Sequence, residues 1–178
     1  MIGVALADGD LKLVAPNVER DALLGVGWVN GEVGHETMRL MGNNPKSITD
    51  TTLKQQQKLI QSFIDDQHAI YWMLELNQRV VGAIWIQLND EEYLPGPSVS
   101  IMIGDVIARG HGIGKRAMIL VLGWARLHVT NLKQPLRVRA LADNAASNAL
   151  IKSFSALLDG KQYTDSDGLV WQNYQLKG

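Results

Sequence analysis

The run Arg109-Gly110-His111-Gly112-Ile113-Gly114-Lys115-Arg116 holds the residue types best suited to gripping an anion. It follows one apolar stretch and opens another. A strand that enters a glycine-rich turn and starts a helix leaves backbone N–H groups unpaired at the helix start. Together with the positive end of the helix dipole they form an anion site. Glycines at 110, 112 and 114 let a phosphate approach the backbone without a side-chain clash. Lys115 and Arg116 fall in the first helical turn, where cations are ordinarily unfavourable. Arg109 and His111 flank them, and a bound polyanion would offset this charge. The plainer reading of the same residues is a tight turn. The Walker pattern does not fit, because it needs Gly at 109 and Ser or Thr at 116, and Arg stands at both. The dinucleotide pattern does not fit either, because Lys115 stands where it needs Gly.

Other chemistries are excluded or left without a fixed place. The chain has no cysteine, so disulfides, thiolate metal sites and cysteine nucleophiles are out. His35, His68, His111 and His128 lie far apart without metal-ligand spacing, and no metal is expected. A net charge of −1 argues against a bulk grip on nucleic acid. No apolar run approaches the ~20 residues of a membrane span. The N-terminus lacks the basic start and long apolar core of a signal peptide. A soluble, cytoplasmic protein with no nucleic-acid or membrane partner is the expectation. Composition and a length of 178 residues suit one domain over 1–178.

The elements around the loop follow from periodicity. Leu11 to Val14 reads as a short strand stopped by Pro16. Val18 to Val29 reads as a helix interrupted by Gly25 and Gly27. Asn30 to Ile48 reads as loop, with a short helix near Glu36–Met41. Thr49 or Asp50 caps a helix whose stripe is Leu53, Ile60, Phe63 and Ile64. Ala69–Leu76 and Arg79–Leu88 are strands joined at a hairpin turn, Asn77-Gln78. Asp90 to Pro97 is a polar loop, and Ser98 to Gly104 a third strand. The helix opened by the glycines runs to about Val129; it is apolar nearly all round, which implies burial. Leu136–Leu141 is a strand. Asp143 or Asn144 then caps a helix with stripe Leu150, Ile151, Phe154, Leu157 and Leu158, ended by Asp159-Gly160. Gln162–Thr164 and Leu169–Leu176 close the chain around the turn Asp165-Ser166-Asp167-Gly168. Trp72, Trp85, Trp124 and Trp171 all fall on core elements and read as packing residues.

Arg109-x-x-Gly112-x-Gly114 resembles the pyrophosphate loop of the GNAT acyltransferase superfamily. Asn144-Ala-Ala-Ser147-Asn148-Ala-Leu150 is similar to the stretch that opens that family's later helix, and the element order matches. Trp28-Val29-Asn30, the helix after Thr49 and the turn after Asp165 look like the branch that acetylates ribosomal-protein N-termini, which also contains many small-molecule acetyltransferases.

The resemblance implies an α/β (α+β) fold: a mixed, mostly antiparallel sheet of about seven strands with a splayed pair and about four helices. It implies an acetyl-CoA-dependent N-acetyltransferase acting on a primary amine, either a protein N-terminus or a small molecule, as monomer or homodimer. Pantetheine would pair with the backbone of Met102, Ile103 and Gly104, with an N–H such as that of Ile103 holding the developing oxyanion. N–H groups of Gly110, His111, Gly112, Ile113, Gly114 and Lys115 would hold the pyrophosphate, beside Arg109. Asn144 and Ser147 would lie near the pantetheine arm, although helix capping is an equal role for Asn144.

The chain departs from the family in its acid and base. The family's thiolate acid is often a tyrosine seven residues after the asparagine, and Ile151 stands there. Its base is often a carboxylate on the strand before the loop, and that strand offers Ser98 and Ser100 instead. The family's Gly-Phe is Ser155-Ala156. By location, Ser100, Glu75 and Asp105 are candidates beside the reaction point. Trp28, Asp90, Glu91 and Glu92 are candidates at the acceptor cleft. For the carboxylates a solvated or salt-bridged role is the plainer one. The alternative function is a non-catalytic acyl-CoA-binding module or sensor; a nucleotide-binding protein with an unusual glycine loop is a third.

Overall fold

The hairpin turn Asn77-Gln78 takes left-handed φ values of 48° and 66° at both residues, the geometry that matches strand twist in a two-residue hairpin. It joins β3 (Ala69–Leu76) to β4 (Arg79–Gln87) at the centre of the sheet. The structure is a computed structural model that describes residues 1–129 and 135–176. The strand order is β1-β2-β3-β4-β5-β6-β9-β7, with β8 also paired to β9. β1 is Leu6–Asp8, β2 Leu11–Val14, β5 Ser98–Ile103, β6 Arg137–Leu141, β7 Leu157–Leu158, β8 Tyr163–Thr164 and β9 Val170–Gln175. Every pair is antiparallel except β5–β6. The helices are α1 (Val18–Val29), α2 (Gly31–Leu40), α3 (Leu53–Asp65), α4 (Ile113–His128) and α5 (Ala145–Lys152). The fold is thus the mixed, mostly antiparallel α/β sheet expected, with nine described strands and five described helices rather than about seven and four.

α4 covers one face. Its Ile113, Ala117, Met118, Val121 and Ala125 are buried against Trp72, Leu74, Ile84 and Val99 of the strands. The helix is not buried all round as its composition implies, because Ile119 and Leu127 face outward at 55% and 81% exposure. On the opposite face, Leu24 and Trp28 of α1 pack on Met73, Val80 and Ala83. Trp72 is wholly buried, and its Nε1 donates to Val4 O at 2.8 Å.

Three further sequence expectations need correction. Gly31 to Leu40 is a full helix where loop is expected. Gly34 within it is a close-approach residue, since a Cβ there would lie 2.3 Å from the Val29 carbonyl carbon. The α3 cap is Thr52, in a reciprocal box with Gln55, worth about 1 kcal/mol; Asp50 instead accepts from Gly31 N–H and pairs with His35. α5 stops at Lys152 because Ser155 turns left-handed (φ 53°), and Leu157 and Leu158 pair with β9 instead of extending the helix. β1, too short to show a period, pairs with β2. None of the described helices is long and apolar enough to cross a membrane.

Candidate functional site

β5 and β6 start together and then part. They share a single parallel register, Ser98 with Arg137, where Arg137 N–H donates to Pro97 O at 3.0 Å. Beyond it β5 stays with β4 as far as Ile103, while β6 follows β9 as far as Leu141. The splay leaves the β5 edge from Ser100 onward without a β6 partner. A groove of about 340 Å³ runs along that edge from Met102 and Ile103 to Gly110, Gly112 and Lys115. An inner cavity of about 140 Å³ lies deeper in the splay, lined by Trp85, Glu91, Ser100, Arg139, Ile151 and Trp171 among others. Groove and cavity share Leu40, Met41, Ile101, Asn144, Ser147 and Leu150, so they lie side by side in the splay.

The glycine loop leaves open space beside its backbone. Gly110 and Gly112 take φ 80° and 75°, and nothing lies within 4 Å of where a Cβ of either would stand. Gly112 is the N-cap of α4 and supplies no side-chain bond to it. The first N–H groups of α4 therefore face the groove without a capping oxygen. Ile113 is buried and Gly114 packs against Leu150, which fixes the helix start.

The cations divide. Arg116 is tied to Asp8 and Asp10 at 2.7 Å each, so carboxylates of the β1–β2 hairpin offset its charge and no bound polyanion is needed for it. The Arg116 hydrogen bond, and after it the Arg116 charge, hold the Asp10 carboxyl below its ordinary range. The Arg109 guanidinium donates to Ile103 O at 2.9 Å and to Thr37 Oγ1 at 2.9 Å; it lines the groove while bolting the loop to β5 and α2. Lys115 is exposed on the groove wall, and His111 is exposed but outside the lining.

Asn144 caps α5 through Ser147 N–H (3.1 Å) and donates to Leu40 O (3.4 Å). It therefore holds the end of α2 beside groove and cavity, as do Arg39 to Asp143 (2.9 Å) and Asn44 to Asp167 (2.7 Å). The Ser147 hydroxyl has no hydrogen-bond partner among the described residues and borders both groove and cavity.

Among the carboxylates, most are occupied elsewhere. Asp105, 7% exposed, accepts from Ile107 N–H at 3.0 Å and pairs with Arg79 at 2.8 Å; both oxygens are committed to structure. Glu75 sits opposite Lys12, within electrostatic reach of Arg20, and lines neither groove nor cavity. Asp90 accepts from Gly96 N–H at 2.8 Å and braces its own loop. Glu92 is exposed, and its backbone carbonyl accepts from Arg139 at 2.9 Å. Glu91 alone of this set reaches the inner cavity. Trp28 lies flat on Gly104, where a Cβ would come within 2.2 Å of its ring. It therefore closes the far end of β5 without lining either space.

Trp85 and Trp171, packing residues by pattern, line the cavity, and so does Arg139, which belongs to no motif. An arginine inside an apolar strand was the available signal. The Arg139 guanidinium stacks on Trp171 at 4.6 Å. Tyr71 sits between Phe63 (4.5 Å) and Trp85 (6.1 Å) in an aromatic column. Burial first, then the Asp66 and Glu91 carboxylates, hold its hydroxyl well above the ordinary tyrosine range.

Trp171 is aimed by Asp165, which accepts its Nε1–H at 2.7 Å and the N–H groups of Asp167 and Leu169 at 2.9 Å each. Burial raises the Asp165 pKa, but these bonds outweigh it and the carboxyl ends below its ordinary value. A depressed folded pKa stabilises above the unfolded value, and the gain is lost as pH falls through the folded one. Asp165→Asn should therefore flatten the fall in Tm below about pH 4, read from Trp fluorescence melts at stepped pH. An unchanged slope would remove Asp165 from this role.

Residues 43–155 match the profile of the Acetyltransferase (GNAT) family. A 71-residue stretch, 40% of the chain, is 34% identical to alpha/beta-tubulin-N-acetyltransferase 9 of Drosophila melanogaster, and spans about a third (36%) of that protein. The fold superposes on the ribosomal L7/L12 alpha-N-protein acetyltransferase RimL in complex with coenzyme A, with a TM-score of 0.72 at 18% identity over 96% of both chains. It also superposes on the microcin C7 self-immunity acetyltransferase MccE in complex with acetyl-CoA and AMP, with a TM-score of 0.70 at 17% identity over 94% of this chain and 92% of that one. At such identities these structures speak for the fold, and the profile match speaks for descent: the chain belongs to the Acetyltransferase (GNAT) family.

Proposed function

We propose that the protein, acting as one domain, is an acetyl-CoA-dependent N-acetyltransferase that moves the acetyl group directly to a primary amine. One observation carries the reading: the unpaired edge of β5 and the uncapped start of α4 open onto the same groove. A long ligand with a peptide-like arm and a pyrophosphate suits that combination, and acetyl-CoA has both. In this reading the backbone of Met102, Ile103 and Gly104 pairs with the arm, and the Ile103 N–H meets the thioester oxygen. The N–H groups from Gly110 to Lys115 hold the pyrophosphate, and the Ser147 hydroxyl meets the pantetheine. Ile103 O is already taken by Arg109 and Met102 O faces Gly82 of β4, so the arm pairs chiefly through N–H groups on the open edge. Holding both substrates in one cavity supplies much of the rate.

The acceptor is a protein N-terminus or a small-molecule amine. RimL and the tubulin acetyltransferase, by their names, act on proteins, which favours the former. The reading includes a soluble, cytoplasmic setting, in keeping with a cysteine-free chain, and a monomer or homodimer.

Ile151, buried in the cavity where the family often has a tyrosine, favours one second reading, an acyl-CoA sensor without turnover. Release of free thiol from acetyl-CoA with N-terminal peptides, polyamines, amino acids and aminoglycosides decides between them. The chain has no thiol of its own to confuse the assay. Turnover with any amine supports the enzyme; binding without turnover supports the sensor.

A further inference from the structure

We propose that Glu91, from the loop before β5, is the group that receives the proton of the acceptor ammonium; the role rests on the acetyltransfer reading. Among the described residues lining the inner cavity, Glu91 is the one carboxylate. It is anchored from both sides. Its backbone pairs with Leu94, which is 1% exposed, through N–H···O bonds of 2.9 and 3.0 Å. The hydroxyl of Ser98, itself 1% exposed, donates to Oε2 at 3.0 Å. The other oxygen, Oε1, faces Arg139 at 3.7 Å, beyond hydrogen-bond distance. Arg139 meanwhile spends a donor on Glu92 O and lays its plane on Trp171. Arg139 thus sits beside Oε1 without capping it, and Oε1 stays open to a donor in the cavity. The side chain is 35% exposed, so an entering amine reaches it.

The position answers the missing strand carboxylate. On β5, Ser100 lines the cavity and Ser98 is buried, and Glu91 reaches Ser98 from outside the strand. Ser100 is two residues further along, about 6–7 Å, and lines the same cavity as Glu91. The proton therefore moves from amine to Glu91 directly or through water.

The step balances. The ammonium gives one proton to the Glu91 carboxylate and becomes a neutral amine. Its lone pair forms the C–N bond at the thioester carbonyl, and the C–S bond breaks with its electron pair on sulfur. The nitrogen then gives a second proton to that thiolate, and Glu91 returns the first to solvent. Net, one ammonium and one thioester yield an amide, a thiol and a proton. Because the thiol draws its proton from the nitrogen, Ile151 in place of a tyrosine does not stop the cycle.

Glu91→Gln keeps the shape and can still accept from Ser98. With the amine turned over fastest in a panel of free-N-terminal tetrapeptides, spermidine and kanamycin, kcat should fall about 100-fold at pH 7. It should recover to within a few-fold of wild type above the pKa of that amine, where the acceptor arrives neutral. The acetyl-CoA Kd from calorimetry should stay within about twofold, while the same amine should bind the protein–coenzyme A complex about tenfold more weakly. An unchanged kcat at pH 7, or a loss that persists at high pH, overturns the role and leaves acetyl transfer standing. A wild-type protein that turns over no amine overturns both. If Glu91→Gln does not fold, Ser98→Ala serves: a roughly tenfold loss that vanishes at high pH supports the role, and no loss overturns it.

Discussion

Gly112→Asp should abolish acetyl-CoA binding while the protein stays folded. Gly112 is the N-cap of α4 at φ 75°, and no atom stands within 4 Å of an added Cβ. An aspartate there meets no neighbour. Asp also tolerates the left-handed region better than most residues, so the backbone cost is about 1 kcal/mol. What it changes is the anion site. Its carboxylate would cap the free N–H groups of α4 and confront a pyrophosphate at contact range. At an effective dielectric near 20, unit charges at ~4 Å repel by about 4 kcal/mol, or roughly a thousandfold in affinity. Gly112→Ala carries the backbone cost without the charge and should lose far less. Calorimetry on both variants, with Tm as the folding control, separates the two effects. Equal losses for Ala and Asp would mean that loop geometry rather than charge holds the ligand.

Gly82→Val should damage stability and binding together. Gly82 faces Ile103 across β4–β5, and a Cβ there would lie 2.2 Å from Met102 O and 3.0 Å from Ile103 Cα. Both contacts are backbone, so no side chain can swing aside, and the strand pair must open just where the acyl arm is to be held. The expected cost is about 3 kcal/mol or more, a fall in Tm of about 6–12 °C for a chain of this size. Acetyl-CoA affinity should fall even at temperatures where the variant is folded. A Tm within about 2 °C of wild type would mean that β4 and β5 adjust freely and that the edge of β5 is not fixed by Gly82.

The strands of the hairpin, the glycine loop and the helix after it were legible because each rests on local chemistry: alternation, a two-residue turn and an uncapped helix start. What failed had tertiary causes. α2 was hidden because Gly31 and Gly34 look like helix breakers, whereas Gly34 lets the helix approach the Val29 carbonyl. Leu157 and Leu158 continue the apolar period of α5, but Ser155 reverses the chain and hands them to β9. At the site, the basic cluster suggested that Arg116 needed an anion, and its partners turned out to be Asp8 and Asp10 from a hairpin more than 100 residues earlier. Glu91 was one of three loop acids that the sequence could not rank. Only the fold shows that Asp90 braces its own loop and that Glu91 reaches inward to Ser98.

The central claim is that one groove holds the peptide-like arm along β5 and the pyrophosphate at the start of α4. Calorimetric titration with acetyl-CoA and, separately, with S-acetylpantetheine tests it most directly. The account predicts one binding site for acetyl-CoA and an affinity for S-acetylpantetheine at least about a hundredfold weaker, since two or more charge-assisted bonds are lost. Equal affinities, or no binding of acetyl-CoA, would contradict it.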